Sequence, residues 1–145
     1  MISGDQVLPR ISSNVSTHPM EPDSDPMSDW YGSLQRIRRE VPDDVLVLPS
    51  HNECFRGLHA RIDVLLESQD RAFARLREAL QLPRRAVDVF THLFSRDVAE
   101  TDSPKFSMAT GEAVASINAL ASRGELCSEV DASGAVWYRL RSMSK

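Results

Sequence analysis

Residues 46–51, Leu46-Val47-Leu48-Pro49-Ser50-His51, decide the fold of this sequence more than any other stretch. The run 45–48 is apolar at every position, which is typical of a strand covered on both faces. It follows a helical pattern at residues 28–40, so the order predicts a layered α/β unit. His51 comes at the carboxyl end of the strand, where ligands collect in α/β folds.

A second short strand pattern covers residues 1–8, and within it Asp5 follows Gly4. One interpretation makes Asp5 a carboxylate that bridges two metal ions, with the glycine allowing close backbone approach. The alternative is a turn aspartate that caps a backbone N–H. For His51 the alternatives are a zinc ligand aimed by the strand end and a histidine that caps the following helix.

The rest of the chain predicts a long loop, three helices and a hairpin. Residues 9–29 are rich in Pro, Ser and Asp, and His18 within them is either a contact in a substrate cleft or simply exposed. Helices are predicted at 55–80, 86–94 and 107–123, with an acidic loop at 97–105 and Gly124 as the residue after the last helix. A hairpin of residues 126–130 and 136–140 closes the chain, and helix, helix, hairpin is the order of a winged-helix domain.

Composition limits the classes of function. The 145 residues carry a net charge of −4 and two cysteines, and they include neither a membrane span nor a secretion signal, so a cytoplasmic protein is expected. The predicted helix 107–123 has no Arg or Lys before Arg123 and does carry Glu112. A helix that reads the major groove normally brings cations, so the sequence argues against a nucleic-acid partner.

The order of motifs resembles the C-terminal part of a metallo-β-lactamase superfamily hydrolase, in the glyoxalase-II-like and β-lactamase-like branch with an appended winged helix. The stretches that carry the resemblance are Ser3-Gly4-Asp5-Gln6-Val7-Leu8, Pro22-x-x-x-Pro26, Trp30-Tyr31-Gly32-Ser33-Leu34, Leu46-Val47-Leu48-Pro49-Ser50-His51 and Phe55-Arg56-Gly57-Leu58. Later stretches that resemble the appended domain are Phe106-x-x-x-x-Gly111-Glu112-Ala113 and Leu120-Ala121-x-Arg123-Gly124.

The resemblance implies a centre of two zinc ions, with Asp5 as the bridging ligand and His51 as the last histidine ligand of the second ion. It implies hydrolysis of an ester, thioester, lactone or phosphodiester by zinc-bound hydroxide. Ser50 and Asn52 flank His51 where the family usually has glycines. The defining His-x-His-x-Asp-His motif of the family is absent and would lie upstream of Met1, so no complete catalytic site is expected and the chain alone is expected to be inactive.

The predicted fold class is therefore a partial αβ/βα metallo-β-lactamase fold followed by a mostly helical winged-helix domain. The predicted divisions are residues 1–53 for the first part, 54–82 for a connecting helix and 83–145 for the winged helix. The expected partner is a small ester or thioester substrate, bound by the enzyme of which this chain would be a part. No membrane partner is expected, and pairing with a second copy of the chain is an open alternative. The rival hypothesis is a non-catalytic winged-helix binding or regulatory module.

Overall fold

The structure is a computed structural model that describes residues 1–94, 98 and 101–141. The described residues form mixed α/β structure in two compact units. The first unit comprises Met1–Asn14 and Ser28–Asp70, and the second comprises Val15–Met27 and Arg71–Lys145. The elements in chain order are β1 (Ile2–Gly4), α1 (Pro26–Glu40), β2 (Leu48–Pro49), α2 (Leu58–Ala79), a 3₁₀ turn (Ala86–Val89), α3 (Phe90–Leu93), α4 (Ser103–Ser122), β3 (Leu126–Val130) and β4 (Val136–Leu140).

The first unit is built on a parallel pair of strands, β1 and β2. Ile2 pairs with Leu48 and Gly4 with Pro49. On the other side of β2, Val47 forms an antiparallel bridge with Phe55. The buried apolar side chains of this unit are Val7, Leu8, Trp30, Leu34, Val47, Leu58, Ile62 and Leu65. Two parallel strands are too few to form a stable sheet alone, so their packing on this core holds them in place.

The prediction that the strand after α1 is covered on both faces is wrong for this chain. Val47 is fully buried, whereas Leu46 and Leu48 are 45% and 39% exposed, and Ile2, the partner of Leu48, is 84% exposed. Because side chains alternate along a strand, Leu46 and Leu48 share one face and Val47 lies on the other. The core covers the Val47 face, and the opposite face is an open apolar surface.

The first two helices confirm the predicted helices, with shifted starts. α1 begins at Pro26, two residues before the predicted cap, because proline fits the first turn of a helix. α2 begins at Leu58 instead of residue 55, because Phe55 pairs with Val47 in the bridge. The carboxylate of Asp43 then accepts a hydrogen bond from the His59 backbone N–H at 2.7 Å, which satisfies one of the free donors at the start of α2.

The second unit contains α3, α4 and the hairpin. The hairpin is confirmed at residues 126–130 and 136–140, with Leu126 opposite Leu140, and Gly124 has the positive φ of 74° expected after a helix. The predicted short helix 86–94 is a 3₁₀ turn followed by α3. α4 begins at Ser103, because the side chain of Asp102 accepts from Lys105 N. Part of the predicted loop 97–105, at residues 97, 99 and 100, lies outside the described residues.

α4 is buried on more of its circumference than its sequence predicts. Helical spacing in the sequence predicts that Ile117, Leu120 and Ala121 are buried. Ile117 and Leu120 are fully buried, whereas Ala121 is exposed. Seven α4 residues in all are buried, including four alanines. The cause is a second contact surface, because the segment Val15–Met27 is hydrogen-bonded along α4. Thr17 N donates to Gly111 O at 3.0 Å, and Asn118 Nδ2 donates to the carbonyl oxygens of Pro22 and Ser24, each at 2.8 Å.

Gly111 is needed for this contact, which gives a testable prediction. A Cβ at Gly111 would lie 2.9 Å from Ser16 Cβ and 3.3 Å from Thr17 O. We expect Gly111→Ala to lose stability, because overpacking of about 1–3 kcal/mol exceeds the gain of about 1 kcal/mol in helix propensity. Gly32→Ala in α1 is the matched control, since its Cβ meets nothing within 4 Å, and it should gain stability. Urea unfolding measures both, and equal shifts would contradict the prediction.

Candidate metal centre

The parallel pairing of β1 and β2 brings Asp5 and His51 together. Each side chain follows the carboxyl end of its strand, and the ends of parallel strands lie at the same edge of a sheet. The Ser50 backbone N–H donates to Gly4 O at 3.1 Å, which continues the pairing to the residues next to both side chains. As a result, His51 Nε2 lies 3.4 Å from Asp5 Oδ1, and both side chains are exposed.

The chain leaves both strands through residues with positive φ. Gly4 has φ of 52° and Asn52 has φ of 66°. Within this chain a Cβ at Gly4 would meet nothing within 4 Å. The positive φ is what favours glycine at this position. Asparagine is among the few other residues that adopt this conformation readily, so Asn52 can form the turn at which the resemblance implies a glycine.

Two serines, neither of which the sequence analysis identified as part of a site, hold Asp5. The hydroxyl of Ser50 donates to Asp5 Oδ1, and the hydroxyl of the buried Ser13 donates to the Asp5 carbonyl oxygen. One serine therefore holds the side chain and the other holds the main chain. No pattern in the sequence shows these contacts, because the serine content of the chain is high and neither spacing is distinctive.

The loop after β1 is fixed by two charged contacts. Arg61 of α2 donates from Nε to Leu8 O at 2.6 Å and from Nη2 to Ile11 O at 2.8 Å, and burial lowers the pKa of this guanidinium. Arg10 pairs with Glu53, two residues after His51, with Nε to Oε1 at 2.8 Å. These contacts keep the segment between Asp5 and Ser13 against the first unit, which limits the positions that Asp5 can take.

Asp5 and His51 are side chains of the kinds that bind zinc, but together they supply only part of a zinc site. Carboxylate oxygen and imidazole nitrogen are both zinc ligands, and the two atoms converge from rigid strand ends. Among the described residues no group of three or more His, Cys, Asp or Glu side chains is placed to hold a metal ion. Catalytic zinc takes about three protein ligands. Asp5 and His51 therefore fit as two ligands of a zinc centre, and further ligands are needed to complete it.

The other histidines and Cys54 have different surroundings. His18 belongs to the second unit, where its Nδ1 accepts a hydrogen bond from Met20 N at 3.2 Å, and its role as a substrate contact stays a prediction. His59 Nε2 lies 2.7 Å from Val41 O, which agrees with a structural role, and half-buried His92 accepts from Arg75 Nε through its carbonyl oxygen. A cysteine near the start of a helix is expected to pack, but Cys54 is a free, exposed thiol, so that expectation is wrong here.

Comparison with known proteins finds a family similar to the second part of the chain. Residues 73–141 match the family described as "Metallo-beta-lactamase-like, C-terminal domain". Comparison with curated proteins gave no match. Residues 73–141 are therefore similar to the C-terminal domain of metallo-β-lactamase-like proteins.

Solved structures extend the similarity to nearly the whole chain. A β-lactamase domain protein from Burkholderia ambifaria is 38% identical with a TM-score of 0.90, over 97% of this chain and 41% of that one. A metallo-β-lactamase family protein from Thermus thermophilus, at 21% identity and a TM-score of 0.78 over the same shares, shows likeness in fold alone. The structural neighbours are thus metallo-β-lactamase-fold proteins, and this chain spans about two fifths of their length.

None of the helices in the described part of the chain is both long and apolar enough to cross a membrane. The two longest helices, α2 and α4, instead carry charged or small side chains between their apolar positions.

Proposed function

We propose that this chain is the C-terminal part of a metal-dependent hydrolase of the metallo-β-lactamase fold, and that Asp5 and His51 are its share of a two-zinc centre. The observation that carries the proposal is the approach of Asp5 Oδ1 to within 3.4 Å of His51 Nε2 at the carboxyl ends of two parallel strands. A carboxylate and an imidazole at one strand edge match the ligands that the family resemblance assigns to these two positions.

The chemistry that zinc supplies in such a centre is activation of water at neutral pH and polarisation of a carbonyl or phosphoryl oxygen. This chemistry suits hydrolysis of an ester, thioester, lactone or phosphodiester. The role of this chain is to hold ligands: β1 and β2 aim Asp5 and His51, and Ser13 and Ser50 restrain Asp5.

The remaining ligands have to come from polypeptide that this chain does not include. Two observations support this part of the proposal. The two donors are fewer than a catalytic zinc requires, and both structural neighbours extend well beyond the matched region. The open apolar face at Ile2, Leu46 and Leu48 is consistent with it, since parallel sheets are normally covered on both faces. On this proposal the chain alone is inactive.

For the second unit we infer a structural winged-helix module of the hydrolase in preference to a nucleic-acid-binding regulator. Support for the winged helix comes from the order α3, α4, hairpin and from the isolated antiparallel bridge between Arg84 and Tyr138 of β4. The structural role is supported by α4, because the segment Val15–Met27 is bonded along it at Gly111 and Asn118. A helix covered in this way leaves less surface for a DNA groove.

Zinc titration of the 145-residue chain tests the proposed ligands. We expect weak binding by calorimetry, because two exposed ligands hold the ion. Asp5→Ala and His51→Ala should each remove most of the binding heat. The controls are Glu40→Ala and His18→Asn, which alter an exposed carboxylate and an exposed histidine elsewhere and should leave the heat unchanged. Two tight zinc sites per chain, or equal binding by the Asp5 variant, would refute the assignment.

A further inference from the structure

We propose that Ser50 is a positioning residue, which selects the orientation of the Asp5 carboxylate before any metal binds. The inference rests on the proposed function, because zinc binding is the purpose that the orientation serves. Ser50 itself is not one of the proposed zinc ligands. Its hydroxyl acts through Asp5, so it is distinct from the two ligands themselves.

The contact is made by a residue whose own place is fixed. Ser50 directly follows β2, and its backbone N–H donates to Gly4 O at 3.1 Å. This backbone bond sets the hydroxyl beside the side chain of the residue that follows Gly4. The hydroxyl then donates to Asp5 Oδ1, which is the same oxygen that lies 3.4 Å from His51 Nε2. The serine, the carboxylate and the imidazole therefore meet at one atom.

Asp5 needs such a restraint because, apart from the neighbouring His51, little in the structure limits its side chain. The side chain is exposed, and the preceding residue Gly4 has a positive φ. Ser13 holds the carbonyl oxygen of Asp5, which fixes the main chain and leaves rotation about the side-chain bonds free. An exposed aspartate samples several rotamers, and one hydroxyl that donates to a single carboxylate oxygen favours one of them.

A ligand that is already oriented loses less conformational freedom when the metal binds, and its supporting contacts then strengthen binding. The family resemblance described above implies a glycine at this position, and glycine has no hydroxyl to donate. The serine thus adds a donor to the metal-binding edge of this chain. A threonine keeps that donor, whereas alanine removes it and changes little else at an exposed site.

The direct test measures the Asp5 rotamer in the metal-free 145-residue chain by NMR, from the three-bond couplings that report the first side-chain torsion. The wild-type chain and Ser50→Thr should show one dominant rotamer, and Ser50→Ala should show averaged couplings. Ser3→Ala is the control, because the Ser3 hydroxyl of β1 donates to Val7 O at 2.9 Å and to Leu48 O at 3.4 Å, and its recorded partners do not include the Asp5 carboxylate. Unchanged couplings in Ser50→Ala would overturn the proposal.

Zinc affinity, with Zn²⁺ alone as the probe, gives a second readout. Ser50→Ala should bind zinc about three- to tenfold more weakly, the size expected for losing one hydrogen bond to a charged ligand at an exposed site. Ser50→Thr should restore the affinity, and a variant that stays weak despite the threonine hydroxyl counts against positioning. If Asp5→Ala binds zinc as tightly as the wild-type chain, the proposed function is wrong. That result does not affect the positioning role of Ser50, because the rotamer measurement requires no metal.

Discussion

Replacing Asp5 by alanine should abolish hydrolysis in a chimeric protein that joins this chain to the unmatched part of the Burkholderia ambifaria protein. That protein is 38% identical to this chain over 97% of the chain, so its remaining part is a suitable source of the further ligands that the proposed function requires. The expected loss exceeds the roughly 10–100-fold effect of removing a supporting residue around a metal. Metal analysis should show both zinc ions lost, because a bridging carboxylate would contact both.

His51→Ala should also abolish turnover, with a different metal content. His51 would hold a single ion, so the variant should keep about one zinc of the two where Asp5→Ala keeps neither. Deleting the hairpin after Leu126 should instead lower stability or alter substrate fit and leave zinc nearly intact, since β3 and β4 belong to the second unit. Glu40→Ala, a surface carboxylate on α1, is the control. If His51→Ala keeps both zinc ions and its rate of ester or thioester hydrolysis, the ligand assignment is wrong.

The stability of the 145-residue chain should fall between pH 5 and pH 8, and Glu112 should be the main cause. Burial raises the pKa of this α4 carboxyl from 4.5 to about 7. The folded chain therefore keeps the proton at a pH where the unfolded chain has released it. The stabilisation is complete below the unfolded pKa and is lost as the pH rises through about 7. At about 1.4 kcal/mol per pKa unit, the loss amounts to roughly 3 kcal/mol.

Glu112→Gln isolates this effect, because glutamine is nearly the same size and never ionises. Urea titrations at several pH values give the unfolding free energies of the wild type and the variant. As the pH rises, the variant should become more stable relative to the wild type. Glu125→Gln is the matched control. Arg77 bonds both oxygens of Glu125 and holds its pKa below the usual range, so its contribution should stay constant between pH 5 and 8. Parallel pH curves for wild type and Glu112→Gln would contradict the prediction.

Local sequence patterns predicted the helices and the hairpin because their causes are local. Trp30 and Leu34 recur at helical spacing and are buried as expected. The hairpin follows from its turn chemistry: Asp131 accepts from Ser133 N at 2.8 Å and from Trp137 Nε1 at 2.7 Å, so its position is fixed within seven residues of chain. The burial of the strand at residues 45–48 was harder to predict, because an apolar run does not show how many faces of the strand the chain covers. Leu46 and Leu48 are exposed.

The sequence by itself determined the order of the helices, the hairpin and the two candidate ligands, an aspartate and a histidine at strand ends. Only the tertiary structure decided what surrounds them. Ser50 and Asp5 are 45 positions apart, and Arg61 and Leu8 are 53 apart. Thr17 and Gly111 meet across a wider gap in the second unit. Such contacts depend on how elements pack, and packing is selected by the sum of many weak interactions along the whole chain, which no short pattern of residues encodes.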